Sequence, residues 1–192
     1  MTRDVPTREE AERLLAEALP LNPGPWGDHC RVAARCAERI AARCGLEPER
    51  AYVLGLLHDI GRRFGVRHMG HIHDGWKYML RLGYPGAARA CLTHSFPTQD
   101  ITDYIGRTDI SPEELRELTE ALDAVVYDDY DRLIILCDCL AGAEGVMDMT
   151  ARMDDVERRY GKYPPDKRAA NLALRSYFEQ KMGADLYAVV GK

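Results

Sequence analysis

The sequence predicts an all-α bundle of eight or nine helices, and three observations carry that prediction. Apolar residues recur at offsets of three and four along most of the chain, which gathers them on one face of a helix. The stretches so patterned open after Ser, Thr or Pro and close at Gly or Pro, the residues that start and stop helices. Nothing alternates with period two for long enough to form a strand.

Thr7 and Glu10 have capping-box spacing, and Leu14, Leu15, Ala18 and Leu19 then give a first helix its apolar face. Leu21-Asn22-Pro23-Gly24-Pro25 reads as a turn-rich connector. A second helix runs from Trp26 or Asp28 to Cys44, and Gly45 closes it. Its inward face holds His29, Val32, Ala33, Cys36, Ala37 and Ile40, so the histidine points with the core. Pro48 opens a third helix that ends at His58, and Gly61, Gly65 and Gly70 break the chain after it. Helical spacing resumes from about His71 to Leu82. It resumes again from Pro85 through Ala87, Ala88, Ala90, Cys91 and His94, until Pro97 ends it.

Ser111-Pro112-Glu113-Glu114 is a strong start signal for the next helix. Leu133, Ile134, Leu136, Cys137 and Leu140 mark Asp129 to Ala141 as buried, and Asp138 interrupts that apolar run. Pro164-Pro165 precedes a long helix from Asp166 to Met182. The 192 residues predict one domain, 1–192, with its core at about 25–145. A helix at 7–19 and helices within 146–182 pack on that core.

An apolar share of 46% and a charged share of 30% are those of a folded chain rather than a disordered one. No apolar run nears the roughly 18 to 20 residues that span a bilayer. Met1-Thr2-Arg3-Asp4-Val5-Pro6 lacks the apolar core of a secretion signal, so a cytoplasmic location is expected. The net charge of −5 argues against a broad nucleic-acid footprint, which needs a basic face. Arg31, Arg35, Arg39 and Arg43 line one helix stripe that reads as a solvated face. The six cysteines form no CxxC pair and read as buried, reduced thiols.

Against this pattern His29, the His58-Asp59 pair, His94 and Asp138 stand out, being polar where a helix expects apolar residues. A single inward histidine is ordinarily a hydrogen-bonded core residue. Several such exceptions from different helices point to a shared cation, since each unpaired polar group costs about 1–3 kcal/mol.

The order His29…His58-Asp59…Asp138, with Leu56-Leu57 before the pair and Ile60-Gly61 after it, resembles the HD-domain phosphohydrolase superfamily. That resemblance implies an HD-type helical domain and a metal-dependent hydrolase. Many members carry two further histidines for a second metal. His94 resembles the later of these, and His71, with Gly75 four residues on and Leu82-Gly83 at its helix end, the earlier. His68 reads as a loop residue, and His73-Asp74 as a surface pair.

The implied centre has Asp59 bridging two metals, with His29, His58 and Asp138 on one and His71 and His94 on the other. Four imidazoles and two carboxylates suit iron, manganese, zinc or cobalt. A metal pair acidifies water, so a metal-activated hydroxide would attack a phosphate ester of a small molecule, a nucleotide among the candidates. Arg62 is the expected cation for the phosphate, with Arg63 and Lys77 as further candidates. Asp131 is expected to orient a ligand or cap a loop, and Arg158 to Pro164 to form a solvated linker. A two-iron oxygenase and a non-catalytic nucleotide-binding domain are the alternatives that the same resemblance leaves open.

Overall fold

The computed structural model describes residues 3–192. Ten α-helices make up the described chain: α1 Arg8–Ala18, α2 Trp26–Cys44, α3 Pro48–Leu57, α4 Gly70–Arg81, α5 Pro85–Thr93, α6 Pro112–Asp123, α7 Asp129–Leu140, α8 Met149–Tyr160, α9 Pro165–Met182 and α10 Leu186–Val190. Short 3-10 turns lie at Leu19–Leu21, Ile60–Phe64 and Ile101–Asp103. The described residues contain no strand, only an isolated bridge between Ala141 and Val146. No helix among them is long and apolar enough to cross a membrane. The count exceeds the expected eight or nine because α10 has five residues, too few for apolar periodicity to register.

Local chemistry sets the helix ends. Thr7 with Glu10 and Ser111 with Glu114 form reciprocal capping boxes. Gly45, at φ 72°, closes α2 in the left-handed conformation and returns its N–H to the Ala41 carbonyl. Asp128 and Asp131 form a third box at the start of α7. Asp131 also receives Arg89 and the Thr93 hydroxyl, so it anchors α5 one residue before His94.

Helix α2 is central: it packs against α3, α7, α9 and α10, while α1 lies on α3. Its face of Val32, Ala33, Cys36, Ala37 and Ile40 is buried. Contact with α3 is close because Gly55 has no side chain; a Cβ there would lie 2.8 Å from the Ala34 Cα. Helices α4 and α5 pair, and α6 closes over them with Leu118 and Leu122 against Met69, Ile72, Leu92 and Phe96. Trp76 packs on both this cluster and the main core.

The arginine stripe of α2 is polar surface, though Arg39 also donates to the Val190 carbonyl of α10. Where the 3-10 turn at Ile60 meets α4, Gly61 lies against the backbone. A Cβ on it would overlap the His71 carbonyl and stand 2.5 Å from the Gly75 nitrogen. Gly61→Ala is therefore expected to push α4 outward and to lower stability by about 1–3 kcal/mol, read as a shifted urea midpoint.

Candidate metal centre

Five helices and one turn bring the polar exceptions together. His29 lies in the second turn of α2, and His58 is the residue that ends α3. At Asp59 the backbone leaves the helix (φ −104°, ψ 13°) and enters the 3-10 turn, which aims the carboxylate back across the helix end. His71 is in the first turn of α4, His94 caps the C-terminus of α5, and Asp138 stands in the last turn of α7.

Each imidazole is oriented the same way. The Nδ1 of His29 donates to the Ala141 carbonyl (3.0 Å), that of His58 to Gly55 (2.7 Å), that of His94 to Cys91 (2.8 Å) and that of His71 to His68. A carbonyl can only accept, so each Nδ1 carries a proton, and each ring in its neutral form presents a bare Nε2 lone pair. These four lone pairs face inward in two sets. The His29 and His58 Nε2 atoms are 3.1 Å apart, and those of His71 and His94 are 3.4 Å apart. Neither nitrogen of a pair has a proton to offer the other. Nitrogens so close need a shared proton or a metal cation between them.

The carboxylates complete the two sets. Asp138 Oδ1 lies 3.0 Å from His29 Nε2 and 3.6 Å from His58 Nε2. Asp59 Oδ1 lies 3.0 Å from His71 Nε2 and 3.6 Å from His94 Nε2, while its Oδ2 is 3.9 Å from both His29 and His58. Asp59 thus presents one oxygen to each pair. Its Oδ1 is buried without a hydrogen-bond partner, an arrangement that costs free energy unless something cationic meets it. Three groups of side chains lie close enough to hold an ion: His29, His58 and Asp138; Asp59, His71 and His94; and Cys30 with His58 and Asp59. Imidazole nitrogen and carboxylate oxygen are donors that suit divalent transition ions.

The electrostatics hold Asp59, Asp138, His71 and His94 in their metal-binding forms, whereas His58 is biased toward its charged form by the two carboxylates. Burial raises the Asp59 carboxyl, but Arg62, His71 and His58 outweigh it and hold it well below the usual range. Asp138 is pushed up by burial and pulled down further by His29 and His58. Burial, with His58 and His71 adding repulsion, depresses His94 to about 3. The His71 ring is also lowered, by burial and Arg62; His58 is lowered by burial but raised overall by Asp59 and Asp138. Cys30 lies beside His58 and Asp59, and burial together with Asp59 pushes its thiol well above the usual range in the metal-free protein.

Because the unfolded chain has a histidine pKa near 6.5, it takes up the His94 proton before the folded metal-free protein does. This one site therefore erodes stability as pH falls from about 6.5 toward about 3. Ring NMR signals of the metal-free protein are expected to show His94 still neutral at pH 5.

The centre opens into a cavity of about 520 Å³. Arg62 lines it, with Nε bonded to Asp59 Oδ2 and its main-chain oxygen held by Asn22 (2.7 Å). Two expected phosphate contacts lie elsewhere. Arg63 turns to the Tyr78 hydroxyl and stacks on that ring, 4.3 Å from its centre. Lys77 pairs with Glu117 of α6 and does not line the cavity. His73 is buried rather than at the surface: its Nε2 meets Glu117 at 3.2 Å under α6, while Asp74 pairs with Arg67 (2.6 Å). His68 lies in the loop before α4, as expected.

The expected linker is also different, because Arg159, Tyr160 and Tyr163 line the cavity. Arg152, Val156 and Tyr160 share one face of α8, and Lys167 and Asn171 share one of α9. That i, i+4 register was present in the sequence. What it lacked was any sign that these faces turn toward the histidines.

The family model for the HD domain matches residues 26–142, which include all six cluster residues. Ribonuclease Y of Opitutus terrae is 35% identical over 81 residues, covering 41% of this chain and 16% of that protein. The chain thus spans only a small part of this curated relative. No solved structure matches. A match across more than half of the sequence, laid over a largely buried set of convergent imidazoles and carboxylates, places this chain in the HD domain family, a superfamily of metal-dependent phosphohydrolase type.

Proposed function

We propose that this protein hydrolyses a phosphate ester of a small molecule, with a nucleotide among the candidate substrates, and that it uses two divalent transition metals. The observation that carries the reading is the set of four bare Nε2 atoms meeting two carboxylates, with Asp59 facing both pairs. His29, His58, Asp59 and Asp138 would hold one ion, and Asp59, His71 and His94 the other, drawn from iron, manganese, zinc or cobalt. A metal pair supplies Lewis acidity and acidifies water at a phosphoryl centre.

The chain's own residues do the rest. Asp59 fixes Arg62 through Nε, which leaves the two terminal nitrogens of the guanidinium for a phosphoryl oxygen. Trp26, Tyr104, Tyr160 and Tyr163 give the cavity aromatic walls for the organic part of the ester. In the overall reaction water adds its oxygen to phosphorus, the ester P–O bond breaks, and the leaving oxygen takes up a proton. The volume favours a single small molecule over a polymer.

The catalytic unit would extend beyond residues 26–142, since α8 and α9 supply one wall of the cavity. Phosphate release from p-nitrophenyl phosphate tests the reading directly. It is expected after loading with manganese or cobalt and to vanish on chelation. Equal rates with and without metal would refute it.

A further inference from the structure

The cations that line the cavity do not all have partners. Arg62 has Asp59 as its counterion, through Nε alone, and Arg159 has Asp155 (3.0 Å). The side chain of Arg152, half-buried in the wall, makes no hydrogen bond or ion pair among the described residues. Lys167 is half-buried and makes no ion pair either. Its Nζ donates to the carbonyls of Ser95 (2.8 Å) and Asp103 (3.0 Å), leaving its third N–H unassigned. Burial lowers its pKa, with Asp103 and Asp138 near enough to oppose that shift only in part. Asp103 spends its carboxylate on Thr98, and Asp138 faces the imidazoles.

The two carbonyls fix the Lys167 ammonium beside the loop that follows His94, within electrostatic reach of Asp138. Two cations without counterions in one cavity are costly to desolvate, and an entering anion with charge near −2 would balance both. A phosphomonoester carries about that charge near neutral pH, whereas a diester carries one negative charge.

We propose that Lys167 and Arg152 grip the phosphate in the cavity, and that the substrate is accordingly a phosphomonoester rather than a diester. This rests on the phosphohydrolase reading and narrows it. Both residues come from helices outside the matched segment, so they would fit this chain's substrate rather than serve the metals.

The test is calorimetric titration of inorganic phosphate into the manganese-loaded protein. Lys167→Met and Arg152→Gln are each expected to weaken binding by about tenfold or more, the scale of a lost charge-assisted hydrogen bond. Manganese content should be unchanged. With p-nitrophenyl phosphate, KM should rise by a similar factor while kcat changes less, and bis(p-nitrophenyl) phosphate should be the poorer substrate of wild type.

If Lys167→Met loosens the Ser95 loop and unfolds, Arg152→Gln decides alone, since Arg152 holds nothing in place. Wild-type phosphate affinity in the folded variants overturns the proposal. So does a wild type that binds no phosphate or prefers the diester. A protein that takes up no manganese defeats the metal reading instead, which elemental analysis reveals before phosphate is added. The phosphate comparison is then made on the protein as purified, with the same outcomes deciding.

Discussion

Asp59→Ala is expected to lose both metals together and to lower kcat by about a thousandfold or more. The scale follows from the several kcal/mol that metal charge supplies to a phosphoryl transition state, at about 1.4 kcal/mol per tenfold. No other side chain in the cluster faces both histidine pairs, so no other single replacement should empty both positions. Arg62 would also lose its partner and swing out of register with the phosphate. Phosphate release and elemental analysis on the same sample check both parts. A variant that keeps its metals, or stays within tenfold of wild-type kcat, contradicts the role given to Asp59.

His94→Ala should behave differently, and the contrast is informative. His94 belongs to the set with His71 and Asp59, while His29, His58 and Asp138 form the other. Removing it is expected to take metal content from two per chain to one. Activity should fall roughly a hundredfold or more, since loss of groups that only orient ligands already costs about 10- to 100-fold. His29→Ala should likewise leave one metal, now in the other set. If His94→Ala binds as much metal as wild type, the second position is wrongly assigned.

Much of this was legible in the chain because helices advertise themselves twice, by apolar period and by caps. Thr7 with Glu10, Ser111 with Glu114, and Gly45 mark ends that the structure also has. His29 and Asp138 were visible as polar side chains on faces otherwise filled by alanine, valine, isoleucine and leucine. The His58-Asp59 pair stood at the end of a helix buried throughout from Ala51 to Leu57.

What escaped was tertiary placement. Lys77 has no signal of its own that separates a cavity wall from the face covered by α6, and Glu117 captures it there. His73 looked like a first-turn surface residue because α6, which buries it, comes some 40 residues later in sequence. Tyr160, Tyr163 and Lys167 reach the cavity only because α8 and α9 fold back across the ends of α2 and α7. Composition around Pro164-Pro165 suggested a linker, and a linker's side chains can still line a site.

The claim on which the rest depends is that these six side chains hold two ions. Its most direct test is metal content per folded chain after saturation with manganese and removal of excess ion, read by elemental analysis against protein concentration. The account predicts two equivalents for wild type. One equivalent, or none, would contradict it.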